Sequence, residues 1–235
     1  IVFRLTATGV LDDTWGLSGL HYVNMAPNDV QVRDIDLQAD GKVLVAGIFY
    51  AGGGSQGGFV RRLLPNGQLD PTFGGNGQVL IDEPGVDYIN SVIARDDGTV
   101  LVGGSLGADH VAYRYLSDGT LDPFFAVNGK LTGTLTTGSI AEARVVITSQ
   151  GRLLFYGNGT GANARIAIKA YDADGALDPS FGTSGEVLYD LSVSSCTVVR
   201  GDLIHADRLA VPFHGPASKR FNVQCFNSEG SVASG

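Results

Sequence analysis

The feature that most constrains this chain is a phrase it spells four times. LDDTWGLSGLH starts at Leu11, LDPTFGGNGQV at Leu69, LDPFFAVNGKL at Leu121 and LDPSFGTSGEV at Leu177. A second phrase keeps step with it: ADGKVLVAG from Ala39, DDGTVLVGG from Asp96 and SQGRLLFYG from Ser149. A third ends in a turn pair: FVRRLLPNG at Gly67, VAYRYLSDG at Gly119 and IKAYDADG at Gly175, with FRLTATG at Gly9 as a further copy. Self-similarity at 50 to 60 residues means one supersecondary unit stacked on copies of itself.

Each unit reads as four strands. The first carries apolar residues two apart (Ile35 and Leu37, Val92 and Ala94, Val145 and Ile147), the period of a strand with one better-buried face. The second, VLVAG, VLVGG or LLFYG, is apolar throughout, as expected of a strand covered on both faces. Asn-Gly or Asp-Gly ends the third, because Gly accepts the positive φ of a tight hairpin turn. The fourth contains the LD phrase. The high Gly content, 34 of 235 residues, suits many short strands joined by tight turns. Four antiparallel strands per repeat predict an all-β fold, a β-propeller of four-stranded antiparallel blades, about four in the chain. The shorter repeat of a β-solenoid fits less well. The units run roughly 1–27, 28–83, 84–136, 137–191 and 192–235 of a single propeller domain, the first and last incomplete.

The compound pattern R-x-x-x-D/N-G-x-L-D-x-x-F-G-x-x-G, followed by D-G-K/T-V-L-V-x-G, resembles the delta-60 repeat of bacterial β-propellers. The likeness covers three units and fades after about Leu191, where ADRLAVPF replaces DGxVLVxG. The resemblance implies a propeller fold and a secreted or cell-surface bacterial protein, and no particular activity.

Aligned on the shared turn Gly, Arg4, Arg62 and Arg114 stand five residues before it, and Asp12, Asp70 and Asp122 three after it. In the third full unit Lys169, one residue early, is expected to serve Asp178. In the last unit both members are replaced together, by Cys225 and Ala233. Joint loss predicts a structural ion pair, since removing one partner strands a costly buried charge. A ring of carboxylates for metal or substrate is the functional alternative. Trp15, Phe73, Phe125 and Phe181 then supply apolar wedges between blades, and Gly19, Gly77, Gly129 and Gly185 the bend that follows.

The chain holds five third-type segments against four of each other type. Closure at four blades would make the LD segment at 11–23 the outer strand of the last blade. A piece of a larger propeller would also explain the count. Opening at Ile1 without Met, the chain is expected to be a mature form or an excised fragment.

The net charge of −8 and the scattered basic residues argue against nucleic acid, whose binding rests on basic patches. No apolar run reaches the ~18 residues of a membrane helix. Cys196 and Cys225 form either one disulfide or two free thiols. The four histidines lack metal-ligand spacing, and no P-loop, nucleophile elbow or zinc motif is present, so no cofactor is expected. DADGALD (172–178) lacks the spacing and terminal Glu of a calcium loop and reads as a hairpin turn.

In an up-and-down blade, the uniform Asp-Gly and Asn-Gly turns share one end and the irregular loops the other. Function on a repeated scaffold belongs to what does not repeat. The irregular loops carry Tyr50, Asp82, Glu83, Asp87, Tyr88, Asp109 and His214, acids and aromatics suited to a carbohydrate or protein ligand. The expected function is a non-catalytic binding or scaffold propeller. The alternative is a polysaccharide hydrolase or lyase, which needs two converging carboxylates that no spacing here specifies.

Overall fold

The computed structural model describes residues 1–25, 28–51, 56–83, 86–135, 138, 140–159, 164–191, 197–204, 207–214 and 222–232. It is all-β. The strands are β1 (Val2–Phe3), β2 (Leu20–His21), β3 (Asp29–Leu37), β4 (Val43–Tyr50), β5 (Gln56–Leu63), β6 (Gln78–Ile81), β7 (Val86–Ala94), β8 (Val100–Leu106) and β9 (Asp109–Tyr115). They continue as β10 (Lys130–Gly133), β11 (Ile140–Ile147), β12 (Leu153–Gly159), β13 (Arg165–Tyr171), β14 (Glu186–Asp190), β15 (Thr197–Val198), β16 (Asp202–Ile204), β17 (Arg208–His214) and β18 (Asn222–Phe226).

Four of the sheets are four-stranded β-propeller blades. In the first three, chain order is sheet order: β3-β4-β5-β6, β7-β8-β9-β10 and β11-β12-β13-β14. In the last, β15 and β16 both pair with β17 as two segments of an interrupted first strand, and β18 lies on the other side of β17. β1 and β2 form a separate two-stranded sheet. β2 pairs with β1 as its neighbour in that sheet. The reason lies in the repeat itself: Val2↔His21 and Phe3↔Leu20 reproduce, 58 residues earlier, the pairs Val60↔Val79 and Arg61↔Gln78 of β5 and β6. β1 and β2 are third and fourth strands to each other.

The chain divides into two compact units, residues 1–102 with 113–122 and residues 103–112 with 123–235. The first is built on Val2, Trp15, Val45, Phe49, Phe59 and Leu63. The second is built on Tyr156, Ile166, Ile168, Phe181, Val211 and Phe226. Second strands dominate both cores, as their unbroken apolar runs require; Leu44, Val45, Ala46, Leu153, Leu154 and Phe155 are wholly buried. Each such aliphatic or aromatic side chain contributes roughly 1.5–3 kcal/mol.

The repeated phrase is a seam between blades. In blade one, Arg62 Nε donates to Asp70 Oδ2 at 2.8 Å, both side chains being buried. Nη1 of the same guanidinium donates at 2.6 Å to the carbonyl of Ser117, in the third-to-fourth turn of the next blade. Its plane lies 4.7 Å over the Phe73 ring, a cation–π contact in a desolvated place. Arg4 repeats the pattern with Asp12 (2.9 Å), the Pro65 carbonyl (2.9 Å) and Trp15. Arg114 pairs with Asp122 at 2.7 Å.

The third unit departs from the expected Lys169–Asp178 pair. Lys169 bonds Glu186 Oε1 at 2.6 Å and the Thr134 carbonyl at 2.5 Å, pointing to the opposite side of its blade. This matches Arg61, which bonds Gln78 Oε1 and the Asn24 carbonyl. Strand alternation is the reason: one residue of offset turns a side chain to the other face. The partner of Asp178 is Arg152, whose Nε donates to Oδ2 at 2.6 Å and whose Nη1 reaches the Ser228 carbonyl. Arg152 stands where Lys42 stands in blade one, and Lys42 Nζ already approaches Asp70 at 3.8 Å. Ala170 vacates the usual position, and the neighbouring strand supplies the guanidinium.

Backbone bonds complete the seam. Gly16, Gly74, Ala126 and Gly182, each just after the phrase aromatic, donate N–H to Asn66, Asp118, Asp174 and Glu229. All four have φ between +43° and +59°. A Cβ on Gly74 would lie 2.0 Å from the Gln78 carbonyl oxygen, so Gly is the natural residue and Ala126 a strained exception.

Candidate functional site

The two ends of a blade are chemically unlike. At the turn end, the repeated carboxylates are held by their own hairpins and by the seam. The Thr14 hydroxyl and Arg4 keep the Asp12 carboxyl below its usual range. Burial opposes ionisation of Asp70, but the Thr72 hydroxyl and amide together with Arg62 outweigh it and lower its pKa. The Ser180 hydroxyl, then Arg152, do the same for Asp178. In the second unit Phe124 takes the place of that hydroxyl residue. Each of these three carboxylates already accepts bonds from its own hairpin and from a guanidinium.

The loop end is built from strand starts and strand ends. Tyr50 closes β4, opposite Asp29 of β3 and Gln56 of β5, with its side chain exposed. Asp82 follows β6, whose last residue Ile81 pairs with Gly58, and is exposed beside the same edge of the blade. Tyr88, near the start of β7, is half-buried with the Arg33 guanidinium 5.5 Å over its ring. Glu83 is half-buried close to Tyr113; burial, and then the Glu83 charge, push that phenol's pKa up. Tyr50, Asp82, Glu83 and Tyr88 thus share one end of the first unit.

Asp109, at the start of β9, belongs to the second unit and is half-buried. Asp87 lies in β7 and His214 ends β17, but their side chains fall outside the described residues. Cys225 carries a free, half-buried thiol, and Cys196 lies outside the described residues. Among the described residues no group of three His, Cys, Asp or Glu side chains is placed to hold a metal ion.

Two features had no signal in the spacing. His110, on β9, is fully buried, with Nε2 2.6 Å from the Tyr171 hydroxyl and its ring 4.7 Å from that of Phe155. Burial pushes its pKa down to about 3, with a smaller contribution from Lys169, so the ring is neutral. Gly133 makes room for this pair, since a Cβ there would fall 1.9 Å from the Tyr171 oxygen. The second is a pair of grooves at the turn end. One lies between the phrase at Gly182–Glu186 and the turn at Glu229–Ser231, and an equivalent one between Ala126–Leu131 and Asp174–Ala176. They follow the seam and repeat with it.

A family model described as "Domain of unknown function (DUF5122) beta-propeller" matches residues 38–73, which hold the second and third strands of the first complete unit and the start of its repeated phrase. No curated protein matches the chain. Among solved structures, the endo-arabinase of Bacteroides thetaiotaomicron VPI-5482 is similar at 13% identity and a TM-score of 0.42, over 93% of this chain and 79% of that one. No helix in the described residues is long and apolar enough to cross a membrane.

Proposed function

We propose that the protein is a non-catalytic binding or scaffold propeller, secreted or displayed on a bacterial surface, that takes a carbohydrate or protein ligand at the loop ends of its blades. The observation that carries this reading is the division of labour within a blade. The repeated Arg, Asp and aromatic residues are consumed in the seam, whereas exposed Tyr50 and Asp82 and the Arg33–Tyr88 stack sit at the end that varies. Aromatic faces with adjacent acids suit sugar rings and polar peptides. Glycosidic cleavage would call for a carboxyl pushed up to act as acid.

Glycan and peptide arrays, run with and without calcium, test the reading. The expected result is binding that Tyr50→Ala weakens at least tenfold without moving the melting temperature. Release of new reducing ends from a polysaccharide would overturn it in favour of an enzyme.

A further inference from the structure

We propose that Arg33 is the anion-recognition residue of the loop-end site and takes the carboxylate of a uronate sugar. The inference rests on the loop-end reading above and adds to it the charge of the ligand. The residues of the site are all in the first unit. β3 shifts register against β4 between Val32 and Asp34, which leaves Arg33 as the unpaired residue of a β-bulge. β11 makes a similar shift between Ala141 and Arg144. Such bulges re-aim a side chain. The residue they present differs from blade to blade. Two places before Ile35, Val92 and Val145 stand Arg33, Asn90 and Ala143, of which the last two are buried and uncharged.

The guanidinium of Arg33 is held but not satisfied. It lies 5.5 Å over the Tyr88 ring, near the start of β7, a contact that uses its charge and consumes no N–H. Among the described residues none accepts a hydrogen bond from it, and its Nε is enclosed without an acceptor. Arg61, Arg62, Arg114 and Arg152 instead donate to Gln78, Asp70, Asp122 and Asp178. A desolvated donor without an acceptor is costly, and here the acceptor arrives with the ligand. Arg33 is only half-buried, and its planar fork of donors matches the two oxygens of a carboxylate.

The neighbouring groups favour a sugar acid. Exposed Tyr50 pairs with Asp29 at the start of β3. From Asp29 to Arg33 is roughly 13 Å at the rise of a strand, a span that a few linked sugar rings cover with one of them on Tyr50. The acids of this end stand away from the fork. Asp82 follows β6, the far strand of the sheet, and lies roughly 14 Å from β3 at strand spacing. Glu83 is turned to the Tyr113 phenol on β9.

The test titrates the full chain with oligogalacturonate, the same oligomer fully methyl-esterified, and a polyglutamate peptide. Calorimetry should show the acid form binding at least tenfold more tightly than the ester. Arg33→Gln should abolish that preference and bind the ester as the parent does, and Arg33→Lys should restore part of it. Both variants should melt close to the parent, because Arg33 donates no bond to a described residue. Equal affinity for acid and ester, or a preference that survives Arg33→Gln, overturns the proposal. The loop-end reading would then still stand on any binding that Tyr50→Ala weakens. Polyglutamate bound more tightly than oligogalacturonate overturns it in favour of a protein ligand. No binding of any of these probes also overturns it, and the glycan and peptide arrays judge the loop-end reading separately.

Discussion

Asp70 and Asp12 make the same bond in different surroundings. Arg62 and Asp70 are buried, so Asp70→Ala would leave a desolvated guanidinium without its counter-charge, at a cost of about 3–5 kcal/mol. The Arg4–Asp12 pair is largely solvated, and Asp12→Ala should lower the melting temperature far less. Thermal denaturation of the two variants side by side checks the ordering. Replacing both members, Arg62→Met with Asp70→Val, should recover much of the loss. Ala126 offers the opposite opportunity: its φ of +43° is one that Gly meets freely at Gly16, Gly74 and Gly182. Ala126→Gly should stabilise the fold by up to about 1 kcal/mol, the left-handed strain outweighing the extra freedom of unfolded Gly, and chemical denaturation would measure it.

Blade-to-blade contacts add a pH response. His110 is neutral in the fold, with a pKa of about 3 against 6.5 in an unfolded chain. The unfolded state therefore binds more protons below pH 6.5, and stability falls as the pH drops from about 6.5 towards 3. At pH 5 the loss is on the order of 2 kcal/mol. The seam carboxyls, with lowered pKa values, contribute their own loss only as pH falls below the usual carboxylate range. Melting curves at pH 7.5 and pH 5 should separate by several degrees, and His110→Gln, which can still bond Tyr171, should close most of that gap.

These elements also mark where sequence reading stops. Period-two strands, Asp-Gly turns and the fixed Arg-to-Asp interval are local, so blades and seam were legible before any coordinates. Arg152 was not, because it reaches Asp178 from a different strand, 26 residues away. His110 and Tyr171 are 61 residues apart and meet only because two blades stack. At the loop ends, strand direction alone puts Tyr50, Asp82, Glu83 and Tyr88 at one end of the first unit. It left open the Arg33–Tyr88 stack, because no periodic constraint orients a side chain beyond the last paired residue.

On the proposed function, stability and recognition occupy opposite ends of a blade. The two should separate by mutation: Asp70→Ala should lower the melting temperature and leave the affinity of any loop-end ligand unchanged, while Tyr50→Ala does the reverse. Differential scanning fluorimetry with ligand titration on both variants checks this, and coupled losses in both would sink the division.

One quieter feature bears on how such a molecule survives at high concentration. β7 borders its sheet on one side only, and the amides of Val92 and Ala94 donate to the carboxylates of Asp34 (3.0 Å) and Asp36 (2.8 Å) on β3. An incoming strand would find those donors taken and a negative charge in its path, which closes that border to cross-β templating. Deuterium should therefore enter Val92 and Ala94 as slowly as it enters a central strand. Two side chains thus occupy donors that a sheet border would otherwise offer to another strand.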